Sequence, residues 1–230
     1  MEQITEVYNE NFIPEIKRLS HLISEGYTHI TFDTEFPGVI YQNSTYFEKD
    51  FYYKSIKANV DNLNLIQLGI TLTSKDGEAP PNNIWQFNLK FDLTREKFAS
   101  DSISMLMSSG INFNKLKVNG IPFETFAEYI ITSGLILNDE VTWIAFHGIY
   151  DFAYLLRLIT NKNLPDRESD FFEELGLYFN KYYDIRYLIR ESGNLRGSLQ
   201  KLSCMLNVNR IGTMHQAGSD SKVTSDCFYK

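Results

Sequence analysis

The chain has 230 residues, a formal net charge of −7, 43% hydrophobic residues, 17 Phe and 14 Tyr. That is ample material for a packed core, which excludes a disordered chain, and the acidic balance excludes a uniformly basic nucleic-acid clamp. A nucleic-acid substrate stays open, because a bound divalent cation is often the largest local charge in a site.

In chain order, Phe12, Ile16, Leu19 and Ile23 recur at helical spacing and predict an amphipathic helix over about residues 12–24. A strand follows from Tyr27 to Glu35, and the polar, aromatic segment from Pro37 to Asn62 has no clear assignment. "LNLIQLGITLT" (Leu63 to Thr73) and "IWQFNLKF" (Ile84 to Phe91) predict two further strands across the turn-rich "SKDGEAPPNN", together an antiparallel meander. Helical patterns then end on Gly110 and Gly134, and "VTWIAF" (Val141 to Phe146) predicts a short buried strand. "YDFAYLLRLIT", "FFEELGLYF", "IRYLIRE" and "SLQKLSCML" predict helices, "YYDI" a fifth strand, and Ser219 onward another helix. Three antiparallel strands followed by alternating strands and helices predict one α/β domain with a mixed sheet. The two cysteines, Cys204 and Cys227, lack metal-ligand spacing and suit a reducing compartment as buried or semi-buried thiols. The opening "MEQITEVYNENFIPEIKRL" is acidic and amphipathic, unlike a signal peptide, and no apolar run reaches membrane-spanning length. The reading is a soluble intracellular enzyme or binding module.

Residues able to carry chemistry lie at four places. "ITFDTEFPGVI" ends a buried strand on Asp33 and Glu35, which share one face because strand residues two apart do. Such a pair is either a surface feature of a strand edge or a seat for a cation. Asp151 opens the helix after the "VTWIAF" strand, where α/β sheets gather ligands, although an acid there also complements the helix dipole. "HQAGSDS" sets His215 five residues before Asp220 at a Gly-rich helix entry, and His147 precedes Gly148 at the end of the buried strand. His147 is read as a substrate contact or a local backbone cap. Phe36 and Pro37 are candidates for an apolar wall against a terminal base, and Lys222 for a phosphate contact, each against a purely structural alternative. Four carboxylates without a Cys or His cluster form a hard, oxygen-rich set suited to Mg²⁺ or Mn²⁺. Two such ions about 4 Å apart stabilise both oxygens of a phosphodiester displacement, with a histidine beside them as base.

The segments "FDTEFPG", "LIQLG", "WQFN", "YDFAYLL", "YYDIRYL" and "RIGTMHQAGSDS", in this order, resemble the Caf/Pop-type poly(A) deadenylases. These are catalytic subunits of the eukaryotic NOT deadenylase complex, in the DEDD 3′–5′ exonuclease superfamily. "HQAGSD" fits the H-x-A-x-x-D pattern of its histidine-bearing branch. The resemblance implies a ribonuclease H-like α/β fold with a five-stranded mixed sheet flanked by helices. It implies removal of 3′-terminal adenylates from mRNA with release of AMP, with two divalent cations, Mg²⁺ or Mn²⁺, as cofactors. By position it makes Asp33, Glu35, Asp151 and Asp220 the metal ligands and His215 the general base. The implied partners are the poly(A) tail, a scaffold subunit of the NOT complex and a second nuclease bound through its leucine-rich repeat. The implied location is cytoplasmic, with the nucleus as a second compartment, and no membrane is involved. Two departures stand out: "FHGIYDF" lacks the serine that follows this histidine in the family, and the sequence stops at Lys230, where members continue through another helix. The expectation is therefore a single domain over residues 1–230 without that C-terminal helix. The rival readings are a 3′–5′ exonuclease on DNA or other RNA ends, and a scaffold-bound module without activity.

Overall fold

A computed structural model describes residues 3–41, 51–190 and 197–230. Among these residues six strands form one mixed sheet: β1 (Ile4–Val7), β2 (His29–Glu35), β3 (Gln67–Thr73), β4 (Ile84–Asn88), β5 (Thr142–Ala145) and β6 (Tyr182–Asp184). Their order is β1-β4-β3-β2-β5-β6. The predicted meander is present, with β2–β3 and β3–β4 antiparallel, and β5 pairs parallel to β2 and β6 parallel to β5. The strand count is corrected from five to six by β1, which runs parallel to β4 at the sheet edge. Four residues, "ITEV", of which only Val7 is buried, give no alternation long enough to read. The strand is tied down from outside, because the Gln86 and Asn88 amides donate to the Glu6 carboxylate at 2.9 and 2.7 Å.

Ten helices surround the sheet among the described residues: α1 (Phe12–Ser24), α2 (Phe51–Val60), α3 (Ser100–Ser108), α4 (Phe113–Asn119), α5 (Phe123–Thr132), α6 (Ile149–Thr160), α7 (Glu168–Tyr178), α8 (Ile185–Leu188), α9 (Leu199–Met205) and α10 (Ala217–Phe228). Helix α2 falls in the unassigned segment, of which residues 42–50 lie outside the described residues. Its apolar stripe is interrupted by Asn59, a poor helix former. Asn59 is nevertheless buried, accepting from the Ile40 and Tyr41 amides and donating to the Tyr41 carbonyl, so it pins the chain leaving β2. The predicted helix "IRYLIRE" is shorter in the structure, ending at Leu188, and Glu191 lies outside the described residues. Helix α4 has no counterpart in the sequence reading. Both cysteines are free thiols, and Cys204 is exposed where a buried or semi-buried thiol was expected. No described helix is long and apolar enough to cross a membrane.

Strand alternation gives the sheet two different faces. Ile30, Phe32, Leu68, Ile70, Leu72, Trp85, Phe87 and Trp143 belong to the main apolar core together with Phe12, Ile16 and Leu19 of α1 and Phe152 of α6. Phe12 stacks on Phe126 at 5.6 Å and meets Phe87 edge-on at 6.1 Å, so α1 and α5 lock onto that face. Thr31, Asp33 and Glu35 of β2, Gln67, Gly69 and Thr71 of β3, and Gln86 of β4 alternate with these core residues. Helix α10 covers this polar side with small residues, and ten of its twelve positions are buried. The Thr71 and Ser221 hydroxyls meet at 2.9 Å, and the Tyr229 hydroxyl bonds to Thr73, His29 and the Ser74 carbonyl. The helix packs so low that a Cβ on Gly69 would fall 1.9 Å from the Ala217 carbonyl oxygen.

Gly69→Ala therefore forces α10 off the sheet. It is expected to cost on the order of 1–3 kcal/mol or more, the scale of an overpacked core. Urea unfolding checks this, and an unchanged midpoint would refute the close approach.

Candidate metal-dependent active site

The N-terminus of α10 is positioned by amide side chains from the sheet. Exposed N–H groups at a helix start need partners, and here Gln67 Oε1 accepts from Ala217 N at 3.4 Å and Gln86 Oε1 from Gly218 N at 2.9 Å. The Gln216 carboxamide completes the network, accepting from Gln86 at 2.7 Å and Gln67 at 3.3 Å and donating to the Ser109 carbonyl at 2.9 Å. The glutamines of "LIQLG", "WQFN" and "HQAG" are thus one hydrogen-bonded unit, drawn from segments far apart in the chain.

That unit fixes His215 and Asp220. His215 takes a left-handed backbone (φ 63°), and its N–H donates to Asp220 Oδ2 at 2.9 Å. Asp220 Oδ1 pairs with Arg210 Nη1 at 2.7 Å, and the same nitrogen donates to the Ser219 hydroxyl at 2.9 Å. Glu35 reaches the pair from the end of β2, so that ligand atoms of Glu35, His215 and Asp220 all lie within 4.8 Å of one another. Asp33 sits two residues earlier on the same strand face. Asp151, in the first turn of α6, is buried and accepts from both the amide and the hydroxyl of Thr34.

Burial and mutual repulsion dominate the electrostatics. Burial, and then Asp151, Asp220 and Glu35, hold the Asp33 carboxyl well above its ordinary value, with Arg210 opposing. Glu35 is pushed up to about 8 by burial and by Asp220 and Asp151. Asp151 rises to about 6 through burial, against the pull of its Thr34 hydrogen bonds. Carboxyls held this way lack positive charge. An oxygen-rich donor set of four acids with one imidazole fits Mg²⁺ or Mn²⁺ and fits no thiolate-seeking metal.

A cavity of about 410 Å³ opens onto this cluster, lined among others by Asp33, Glu35, His147, Arg186, Arg210, His215 and Asp220. Five of the nine residues singled out in the sequence therefore line it: Asp33, Glu35, His147, His215 and Asp220. Asp151 does not line it, yet its charge bears on both Asp33 and Glu35. The remaining three sit elsewhere. Phe36 stacks on Tyr150 at 5.3 Å and on Tyr154 at 5.0 Å, packed against the main core. Pro37 is buried, with its carbonyl accepting from the Ala99 amide. Lys222 is buried on α10 with its Nζ at 2.6 and 2.8 Å from the two Asp226 oxygens, and it does not line the cavity. Sequence reasoning missed Arg210 and Arg186. Arg210 stands in the quoted "RIGTMHQAGSDS", but nothing in that spacing marks it as a partner of Asp220.

A mixed α/β sheet carrying a buried acid cluster at the strand ends defines a metal-dependent hydrolytic site. The CAF1 family ribonuclease profile matches residues 7–130, and the chain belongs to that family. Poly(A) ribonuclease pop2 of Schizosaccharomyces pombe is 42% identical over 230 residues, covering 99% of this chain and 68% of the relative. The solved S. pombe Pop2p, in a Mg²⁺- and Mn²⁺-bound form, superposes with a TM-score of 0.94 at 41% identity over 98% of this chain and 90% of that one. Yeast CAF1, co-crystallised with the NOT1 MIF4G domain, gives 0.85 at 31% identity over 99% and 87%. Exonuclease I shares the fold alone, at 13% identity and a TM-score of 0.62 over 88% of this chain and 40% of that one.

Between the unfolded and folded pKa of Glu35, ordinarily 4.5 and here about 8, the folded state binds more protons than the unfolded. Stability therefore falls as pH rises through that window. Metal-stripped protein is expected to melt at progressively lower temperature from about pH 5 to about pH 8, and millimolar Mn²⁺ to restore the loss. Melting curves with EDTA or Mn²⁺ check this; pH-independent curves that ignore Mn²⁺ would contradict the clustered acids.

Proposed function

We infer that the chain is a metal-dependent 3′–5′ exoribonuclease that shortens the poly(A) tails of mRNA and releases AMP. The observation that carries it is the convergence of Glu35, His215 and Asp220, with Asp33 beside them, on one cavity. The name of one relative, a poly(A) ribonuclease, supports poly(A) as the substrate.

Asp33, Glu35, Asp151 and Asp220 would hold two divalent cations, Mg²⁺ or Mn²⁺, which when bound supply the positive charge that stabilises the attacking and leaving oxygens. His215 serves as general base, its backbone anchored on Asp220 and its ring near the Glu35 and Asp220 carboxylates. It takes a proton from water as the water oxygen bonds to the terminal phosphorus. The bond from that phosphorus to the 3′ oxygen of the preceding ribose breaks, and that oxygen gains a proton. AMP leaves, and the shortened strand keeps a 3′-hydroxyl. Arg210 holds one oxygen of Asp220, and Thr34 holds one of Asp151, so that neither carboxylate turns away from the cluster.

The proposal extends to partners. A relative solved with the NOT1 MIF4G domain supports a scaffold subunit of the NOT complex as the docking partner of this chain. A second nuclease joined through a leucine-rich repeat, and action in the cytoplasm and nucleus, belong to the same reading.

On a 5′-labelled RNA ending in about twenty adenosines, stepwise shortening is expected with Mg²⁺ or Mn²⁺ and none with EDTA. An RNA with a non-A 3′ end should be trimmed more slowly. Equal trimming of both would remove the poly(A) preference. His215→Ala is expected to lose roughly 10²–10⁴-fold in rate while still binding Mn²⁺; wild-type turnover in that variant would end its role as base.

A further inference from the structure

The cavity wall built by the β5–α6 loop and α8 carries two groups that the hydrolysis does not use. His147 stands at the end of β5 with a left-handed backbone (φ 60°), an uncommon conformation for a residue other than glycine. It is held there by Asp184, whose two carboxylate oxygens accept from the His147 and Gly148 amides at 2.9 and 3.0 Å. The same Asp184 caps α8 by accepting from the Arg186 amide at 2.9 Å. One carboxylate therefore clamps both segments, and it brings His147 Nδ1 to 2.8 Å from Arg186 Nη1.

The direction of that hydrogen bond follows from the partners. A guanidinium can only donate, so Nδ1 accepts, and the ring proton of a neutral imidazole stands on Nε2. Burial and the Arg186 charge hold the His147 pKa below its ordinary value, which keeps the ring neutral at neutral pH. Arg186 forms no ion pair with an acid among the described residues, whereas Arg210, the other arginine of this cavity, is committed to Asp220. The cavity thus has an acidic wall for cations and a second wall with a donor fork and an imidazole.

We propose that Arg186, positioned by His147, is a phosphate clamp that holds a non-scissile phosphate of the RNA upstream of the cleaved bond. The clamp rests on the reading of the chain as a nuclease acting on an RNA 3′ end. A strand entering an acidic site is repelled along its backbone, and an exposed guanidinium on the approach offsets that repulsion with a planar fork matched to phosphate oxygens. The scissile phosphate belongs at the acid cluster, and Arg186 touches none of those acids. Arg186 is therefore a binding residue, and His147 a positioning residue acting through it.

The test pairs kinetics with direct binding. Arg186→Ala is expected to raise KM for the A-tailed RNA roughly tenfold with kcat within about twofold, the signature of lost ground-state binding. The dependence of log KM on log salt should weaken by about 0.7, the contribution of one phosphate contact on a single strand. Arg186→Lys should recover part of the KM. His147→Asn, which tolerates the left-handed backbone, should raise KM less, and adding it to Arg186→Ala should change little further. Fluorescence anisotropy of labelled oligo(A) in EDTA measures the same loss without any cleavage. Wild-type protein that binds the oligonucleotide tenfold more tightly than Arg186→Ala supports the clamp even if it cuts nothing, a result that would sink the nuclease reading instead. Unchanged KM, binding and salt slope in Arg186→Ala overturn the clamp, as does a loss confined to kcat, which would place Arg186 at the scissile phosphate.

Discussion

Everything at the site depends on how closely α10 lies on the polar face of the sheet. Gly69 leaves no Cβ beneath the Ala217 carbonyl, and the small residues of "AGSDS" let the helix sink until its first N–H groups meet the Gln67 and Gln86 carboxamides. A larger residue at Gly69 would lift the helix, and Asp220 and His215 with it, away from Glu35. The buried contact is largely polar, and it is tolerated because the Gln67 and Gln86 amides and the Thr71 and Ser221 hydroxyls find partners, whereas the buried Thr31 and Thr224 hydroxyls find none among the described residues. An apolar interface of the same area would pack as well but would not fix the rotation of α10 so narrowly.

The electrostatics then oppose the packing. Burial raises the carboxyl pKa values of Asp33, Glu35 and Asp151, repulsion from the neighbouring acids adds to this at Asp33 and Glu35, and Arg210 is the cation that the fold itself supplies to Asp220. The helix that builds the site also concentrates repulsion in it, and divalent cations resolve that conflict. The metal is in this sense part of the fold's charge balance as well as part of the chemistry. On the other wall, Asp184 spends its carboxylate on backbone amides, which frees Arg186 to face the cavity.

Much of this was legible in the sequence because strand and helix periods are short-range signals. The alternation in "ITFDTE" put Asp33 and Glu35 on one face, and the strand-to-helix junctions located Asp151, His215 and Asp220. The same geometry explains the misreadings. Phe36 follows Glu35 by one residue, so it points to the opposite face and stacks on Tyr150 and Tyr154. Lys222 follows Asp220 by two positions on a helix, about 200° around the axis, and so turns away from the acids. β1 was missed because four residues carry no usable period, and α2 because Asn59 breaks its stripe for the sake of a tertiary clamp. Arg186, Arg210 and the glutamine network are long-range contacts, which no local pattern encodes.

The most direct measurement is calorimetric titration of Mn²⁺ into metal-stripped protein near pH 7, in two buffers of different ionisation enthalpy. With Glu35 at about 8 and Asp33 also raised, ligation must displace protons. The expected result is saturable uptake of two ions with net proton release that fades above about pH 9, where Glu35 is already ionised. Binding heat that does not depend on the buffer, or no saturable binding at all, would contradict a cation-dependent acid cluster.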